Sequence, residues 1–127
     1  MKVLTIREPF ATLIKDKVKY IETRSWNTKY RGELYIHAAI SKDKIREELK
    51  PLIKSKLMYG YIICKVNLVD VVCMNQEFID KEKKKNYNNY ISGRYEVGRY
   101  AWILDNVEVL NSQIKAKGQL GLWNYKK

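Results

Sequence analysis

The chain has 127 residues, with 25 Lys and Arg against 14 Asp and Glu, so its net charge is +11. This length allows one modest hydrophobic core, and we expect a single domain over residues 1–127. A content of 46% apolar and 12% aromatic residues excludes a disordered basic tail. No charge-free stretch is long enough to cross a bilayer, and Arg7 and Glu8 come too early for the apolar core of a signal peptide. We therefore expect a cytoplasmic protein without a membrane segment.

The first part of the chain shows strand and helix patterns in turn. Lys2–Ile6 alternates polar and apolar residues as a strand does, and Pro9 suits the first turn of a short amphipathic helix. The segment from Lys19 to Arg24 is predicted as a second strand. If that strand is regular, Glu22 lies on the face of Arg24 and Lys19 lies on the opposite face.

The middle of the chain is predicted to contain two strands and a helix. A strand over Glu33–Ala39 follows a turn, and Ser41 can cap a helix that Pro51 kinks or breaks. A long strand rich in Ile and Val is predicted over Tyr61–Met74. Residues 75–92 are polar and are predicted to form a long excursion that is helical in part.

The last part of the chain is predicted to complete a β-rich fold. Arg99–Leu104 is a strong strand pattern, Asp105-Asn106 is a turn signal, and Val107–Leu110 is a further strand. Gly118–Tyr125 is predicted as a closing loop or strand. Five or six strands with two or three short helices predict an α+β domain whose sheet curls into a small mixed β-barrel.

The two cysteines limit the metal and redox chemistry that we expect. Cys64 and Cys73 are nine residues apart among Ile, Val and Met, and this spacing does not suit a metal site. We expect both to be buried thiols in a reduced compartment. No metal and no other cofactor is expected.

The basic charge is spread along the chain, and its densest run is Lys81–Lys85. A folded basic domain attracts polyanions because binding releases their counterions. Lysine is also ordinary surface filler, and it outnumbers arginine about three to one in this chain. The charge by itself leaves both interpretations open.

The segment from Lys19 to His37 concentrates side chains of chemical interest. Arg24 can bind a phosphate or a base edge, Glu22 can accept a hydrogen bond from an amino group, and Trp26 offers a stacking surface. The alternative is a surface ion pair between Arg24 and Glu22, with Trp26 in the core.

Three further residues are candidates for contacts with a nucleotide. Arg31 lies at the turn between two predicted strands, and a second turn, bracketed by glycines, presents Arg94. His37 is the single histidine, and it lies on the face of its strand opposite the apolar face. A structural hydrogen-bonding role is the alternative for His37.

Three motifs, in this order, resemble those of the ASCH domain family. They are LTIREPFA at residues 4–11, KYIETRSW at residues 19–26 and RGELYIH at residues 31–37, and the later segments GYII, GRYAW and GQLGLW also fit. The resemblance covers nearly the whole chain. It implies a PUA-like fold, a compact β-barrel with helices at its rim, and an RNA-linked role with a cleft lined by Lys19–Trp26.

The resemblance also implies two kinds of hydrolase. Some small ASCH proteins are amidohydrolases of N4-acetylcytidine that use a Lys, a Thr three residues later and a Glu from elsewhere in the chain, and another is a ribonuclease. Lys19 matches the catalytic Lys, whereas Glu22 occupies the position of the Thr. If the chain is an enzyme, the resemblance implies Lys19 and Glu22 as its catalytic residues.

The function of the chain therefore has three candidate explanations. The leading one is a module that binds single-stranded RNA or a nucleotide through Arg24, Trp26, Arg31, His37 and Arg94. The second is a hydrolase that uses the same cleft. The third is an interaction module whose basic surface docks an acidic protein partner.

Overall fold

The computed structural model describes residues 1–126 and contains six strands and three α-helices. In chain order they are β1 (Lys2–Ile6), α1 (Phe10–Lys15), β2 (Ile21–Arg24), β3 (Gly32–Ala38), β4 (Tyr61–Cys73), α2 (Gln76–Lys85), α3 (Tyr87–Ile91), β5 (Tyr100–Lys115) and β6 (Leu122–Asn124). A 3₁₀ helix over Glu47–Leu52 lies between β3 and β4. Within residues 1–126, none of the helices has the length and apolar character needed to cross a membrane.

The six strands form one mixed sheet in the order β2-β5-β4-β3-β1-β6. β1 is parallel to β3, and the other neighbouring strands are antiparallel. The sheet curls until its two edges approach each other, which makes a half-barrel with β2 at one edge and β6 at the other. The predicted α+β fold, a PUA-like small barrel with two or three short helices, is confirmed.

The helices cover opposite faces of the sheet. Leu4 and Trp102 belong to the main core, into which α1 packs Ile14. Ala101, the neighbour of Trp102 in β5, belongs instead to a cluster with Ile79 of α2. Because successive residues of a strand point to opposite faces, α1 packs on one side of the sheet and α2 on the other.

The helix predicted to start at Ser41 is wrong over its first half. Residues 41–46 have no helical structure, and a 3₁₀ helix begins only at Glu47. Arg46 has an extended backbone with a ψ of 138°, and its guanidinium donates to the Ile91 carbonyl at 2.6 Å. This distant contact, together with the missing N–H of Pro51, overrides the helical spacing of the apolar residues.

The turn predicted at Asp105-Asn106 is wrong, because β5 continues through it as one strand of 16 residues. Asn106 has a φ of 53°, a left-handed value that asparagine adopts more readily than most residues. The pairing of β5 with β4 shifts register nearby and then continues to Lys115. The turn signal therefore marks a bulge within a long strand.

The two cysteines differ in exposure, so the prediction of two buried thiols holds for Cys64 and is wrong for Cys73. Cys64 lies in the core, and its burial raises the pKa of its thiol to about 12. Cys73 is the last residue of β4 and is exposed. Val69, four residues earlier in the same strand, is 45% exposed. The nearby Val71 and Met74 pack against the core clusters, so the apolar run around Cys73 is covered in part and Cys73 itself is not.

Candidate functional site

A pocket of about 810 Å³ opens where the half-barrel does not close. One wall is the edge strand β2, which contributes Glu22, Thr23 and Arg24. The opposite wall consists of residues 5–7 at the end of β1 and residues 119–121, which precede the other edge strand β6. Residues 92–94, directly after α3, also line the pocket.

Lys19, Glu22 and Arg24 form an ionic network in the β2 wall. Lys19 Nζ lies 3.4 Å from Glu22 Oε1, and Arg24 Nη2 lies 2.9 Å from Glu22 Oε2. The prediction that Glu22 and Arg24 share a face is confirmed by this contact. The opposite face predicted for Lys19 is wrong, because β2 begins only at Ile21, and Lys19 lies in a turn where its amide donates to the Leu13 carbonyl of α1.

The ammonium group of Lys19 has three acceptors around it. It donates to the carbonyls of Ile21 at 2.8 Å and Ser92 at 2.6 Å, in addition to its contact with Glu22. The residue is 1% exposed, and burial lowers the pKa of Lys19 while the Glu22 carboxylate opposes that shift. Since three donors meet three acceptors, Lys19 ties the end of α3 to β2.

Arg24 joins the edge strand β2 to β1 across the pocket. Its Nε and Nη2 atoms contact Glu22 Oε2, and Nη2 also donates to the backbone carbonyl of Thr5 in β1 at 2.9 Å. The guanidinium therefore holds the two pocket walls at a fixed separation. Within residues 1–126, Nη1 of Arg24 makes no hydrogen bond, so this nitrogen is available to a ligand.

Arg99 lines the pocket without an acidic partner. It donates from Nε to the Arg94 carbonyl and from Nη2 to the Thr23 carbonyl, both at 3.2 Å. No carboxylate in the part of the chain that the structure describes lies within ion-pair distance of it. Burial, and then the nearby charge of Arg94, lower the pKa of Arg99. A partly buried guanidinium without a counterion favours an anionic ligand.

Three more arginines stand at the rim of the pocket, and each is paired with an exposed carboxylate. The pairs are Arg7 with Asp43 at 3.2 Å, Arg46 with Glu48 at 2.7 Å and Arg94 with Glu96 at 2.9 Å. Exposed pairs of this kind contribute about 0–1 kcal/mol each to stability. A phosphate can therefore replace these carboxylates with little loss of stability.

The distribution of arginine distinguishes the pocket from the rest of the surface. Five of the six arginines line the pocket, whereas among residues 1–126 Lys19 is the one lysine that does so. A guanidinium offers paired hydrogen bonds in the geometry of a phosphate, which an ammonium does not. Among residues 1–126, Glu22 is the one carboxylate that lines the pocket together with these six cations.

Apolar side chains complete the lining. The ring of Phe10 lies 5.6 Å from Lys19 Nζ, and the half-buried ring of Trp26 packs edge-on against Trp102 with a centroid distance of 4.8 Å. Leu120 belongs to the opposite wall and is 99% exposed. The packing of Trp26 on a buried neighbour fixes its orientation, as a platform for a flat ligand requires.

Arg31 and His37 lie outside the pocket, so the structure does not bring them together with Arg24, Trp26 and Arg94. Arg31 contacts Asp70 at 3.2 Å on the surface. The buried ring of His37 donates from Nε2 to the Ala116 carbonyl at 2.7 Å, and its Nδ1 lies 3.2 Å from Thr5 Oγ1. Because Thr5 lines the pocket, His37 supports that wall from behind.

Two glycines allow close backbone approaches around these groups. A Cβ atom on Gly93 would lie 3.3 Å from Lys19 Nζ, and one on Gly118 would lie 3.2 Å from His37 Cε1. Both distances are shorter than ordinary van der Waals contacts, so a side chain at either position requires its neighbours to move.

Among the charged and aromatic lining residues, the sequence analysis did not single out four. They are Arg7, Phe10, Arg46 and Arg99. Arg7 and Phe10 lie in the first motif, Arg99 lies in the later segment GRYAW, and Arg46 lies outside these segments. The available signal was the scarcity of arginine in a lysine-rich chain, because the rarer cation is the better phosphate ligand.

Comparison with known proteins agrees with the resemblance read from the motifs. The family model of the ASCH domain matches residues 4–113, which include all three motifs and every arginine of the pocket. No curated protein matches the chain. A match to this family supports an association of the domain with nucleic acid in general. The chain belongs to the ASCH domain family.

Proposed function

We propose that the chain binds a nucleotide of single-stranded RNA in the pocket between β2 and β6. The observation that carries the proposal is the concentration of five of the six arginines around this pocket. Arginine is the residue that recognises phosphate through paired hydrogen bonds, and single-stranded RNA presents both a phosphate and an unstacked base. Membership of the ASCH family supports a role with nucleic acid.

The phosphate and the base take different parts of the pocket in this proposal. Arg99 binds the phosphate, since no carboxylate of residues 1–126 pairs with it, and Arg7 and Arg94 contribute from the rim. Trp26 stacks on the base, and Nη1 of Arg24 reaches a base edge or a second phosphate oxygen.

Glu22 and His37 act indirectly in this proposal. Glu22 holds Lys19 and Arg24 in place through both of its carboxylate oxygens. His37 supports the Thr5 wall and makes no contact with the nucleotide. Arg31, which pairs with Asp70 outside the pocket, is not required for binding.

The proposal is tested by titrating the protein with nucleoside monophosphates and with the corresponding nucleosides, using tryptophan fluorescence because Trp26 lines the pocket. We expect the monophosphates to bind more tightly than the nucleosides, with an affinity that falls as salt is added. The change Arg99→Ala is expected to weaken monophosphate binding by about 30-fold, or about 2 kcal/mol, as for loss of a hydrogen bond to a charged group.

The matched control is Arg31→Ala, which removes the one arginine outside the pocket. We expect this variant to bind the monophosphate like the wild type. Equal losses in the two variants would contradict a site in the pocket and would point to non-specific attraction by the net charge.

A hydrolase that uses the same pocket is the second candidate, and one observation favours it. Burial lowers the pKa of Lys19, which increases the fraction of the neutral amine that a nucleophile requires. Binding is the better supported function, because all three donors of the Lys19 ammonium are engaged by acceptors. The hydrolase is tested by incubating the protein, and a Glu22→Gln variant, with N4-acetylcytidine and with RNA. An absence of turnover by the wild type would eliminate this candidate.

A further inference from the structure

The outer side of α2 and α3 carries a second concentration of cations, which we call the α2–α3 face. It consists of the exposed side chains of Lys81, Lys83, Lys84, Lys85 and Tyr87. Within residues 1–126 these lysines form no ion pair. Glu77 and Asp80 are exposed one helical turn before Lys81 and Lys84, and Glu82 is buried. The four lysines outnumber these two exposed carboxylates, so the face keeps an excess of positive charge.

Tyrosine rings stand next to these lysines. Lys83 Nζ lies 5.6 Å from the ring centroid of Tyr90, and Lys85 Nζ lies 5.8 Å from that of Tyr20. Tyr87 is 57% exposed, and its ring centroid lies 6.1 Å from that of Tyr90. Ammonium groups alternating with accessible aromatic rings are what a single-stranded nucleic acid requires, because the first bind phosphates and the second stack on bases.

The α2–α3 face is attached firmly to the pocket. The side-chain oxygen of Asn89 in α3 accepts from the backbone amides of Tyr20 and Ile21, at 2.9 and 3.3 Å. The chain passes from α3 directly into residues 92–94, which line the pocket. Tyr20, under Lys85, is also the neighbour of Lys19 in the sequence. One strand of nucleic acid can thus meet both sites on a single rigid body.

The position of the lysines in the helix does not account for the whole pattern. Lys83, Lys84 and Lys85 occupy the last turn of α2, where positive charge stabilises the helix dipole. That effect requires no aromatic partners, whereas Tyr20 comes from the segment before β2 and Tyr90 comes from α3. The tertiary structure assembles the lysine and tyrosine pairs from three separate parts of the chain.

We propose that the α2–α3 face binds the part of a single-stranded RNA that flanks the nucleotide in the pocket. Lys83 and Lys85 contact phosphates there, and Tyr87 stacks on a base. The contact is independent of sequence, because neither ammonium groups nor tyrosine faces distinguish one base from another. This inference rests on the proposed function of the pocket, and it adds a second contact for the same ligand.

The test compares two pairs of charge reversals that change the net charge equally. The variant Lys83→Glu/Lys85→Glu alters the face, and the control Lys54→Glu/Lys56→Glu alters two exposed lysines outside the pocket. Each protein is titrated with a nucleoside monophosphate and with a single-stranded RNA of about ten nucleotides, which is within the range that small binding domains cover.

The face variant is expected to bind the oligonucleotide about tenfold more weakly than the control does. The slope of log affinity against log salt is expected to fall by about 1.4, since each lost phosphate contact on a single strand removes about 0.7. Monophosphate binding is expected to equal that of the wild type. Lys83→Gln/Lys85→Gln, with thermal unfolding measured for every variant, separates the loss of charge from damage to α2.

Two outcomes would overturn the inference. One is an oligonucleotide affinity that falls no further in the face variant than in the control, which would leave the face to an acidic protein partner. The other is an equal loss of monophosphate and oligonucleotide binding in the face variant. Failure of the proposed function is recognised separately, because in that case Arg99→Ala leaves the binding of both probes unchanged.

Discussion

The pocket and the α2–α3 face are both strongly basic, yet they are built in different ways. In the pocket, Arg24 and Arg99 are held by backbone carbonyls of β1 and β2, and Lys19 is buried among three acceptors. On the face, Lys83 and Lys85 are exposed, and their ammonium groups lie over the rings of tyrosines. Fixed guanidinium groups can select a ligand by its geometry, whereas mobile ammonium groups attract any polyanion.

The net charge of +11 therefore combines two kinds of positive charge. The buried or hydrogen-bonded cations of the pocket contribute both to the stability of the fold and to ligand recognition, so their removal weakens both. Charge on an exposed helix contributes chiefly to long-range attraction, and salt screens it. The expected effects of substitutions therefore differ in kind between the two regions.

The largest expected difference is in folding stability, between a variant that lacks a lysine of the pocket and one that lacks a lysine of the face. Lys19→Ala leaves the carbonyls of Ile21 and Ser92 without their donor and removes a partner of Glu22. We expect it to lower the free energy of unfolding by about 3–5 kcal/mol, as for other broken buried ion pairs. Lys84→Ala, on the exposed face, is expected to change it by less than about 0.5 kcal/mol. Chemical denaturation measures the free energy of unfolding of both variants. Similar losses would show that the contacts of Lys19 do not stabilise the fold.

The next effect concerns the kind of cation in the pocket. Arg99→Lys keeps the positive charge but loses the planar fork that donates to the Arg94 and Thr23 carbonyls. We expect monophosphate affinity to fall nearly as far as in Arg99→Ala, by about 2 kcal/mol. Lys85→Arg on the face is the converse change and is expected to keep the oligonucleotide affinity. Full rescue by Arg99→Lys, measured by the same titrations, would mean that charge alone drives binding in the pocket.

A smaller effect is expected from Gly93, where the pocket wall approaches Lys19. The added methyl of Gly93→Ala meets Tyr95 Cε1 at 3.0 Å and Lys19 Nζ at 3.3 Å. We expect a loss of about 1 kcal/mol in the free energy of unfolding, because the buried ammonium cannot move without leaving its acceptors. Wild-type stability in this variant would show that Lys19 can adjust and that its three contacts are not rigid.

The smallest expected effect is a difference in thiol reactivity between Cys64 in the core and Cys73 at the end of β4. Cys64 keeps its proton throughout the ordinary range of pH, because burial raises the pKa of its thiol to about 12. A thiol reagent at pH 8 is therefore expected to modify Cys73 alone in the native protein and both cysteines after denaturation. Mass spectrometry counts the modified sites. Native labelling of Cys64 would indicate that the core opens.

Much of the fold was predictable from the sequence because its signals are local. Alternation identified β1 and most of β3, and a run rich in Ile and Val identified β4. The shared face of Glu22 and Arg24 followed from strand periodicity. The errors arose where distant contacts overrode local preference. Arg46 is held extended by a carbonyl of α3, and Asn106 bends a strand that pairing with β4 keeps intact.

The candidate site was predictable only in part. The motif at residues 19–26 supplied one wall, and Trp26 and Arg94 were also identified from the sequence. Arg7, Arg46 and Arg99 were missed. Arg7 and Arg99 lie in segments that resemble the family, but no local pattern shows that they line the same pocket as residues 19–26. His37 was identified as unusual, but its ring lies behind the pocket wall.

The sequence by itself predicted a basic α+β domain of the ASCH family with Glu22 and Arg24 on one face of a strand. The tertiary structure alone decided which of its many cations form a site. The five pocket arginines are spread from residue 7 to residue 99, and only the curling of the sheet brings its two edges, and with them these residues, to one place. Such closure depends on contacts between residues far apart in the chain, which local periodicity does not encode.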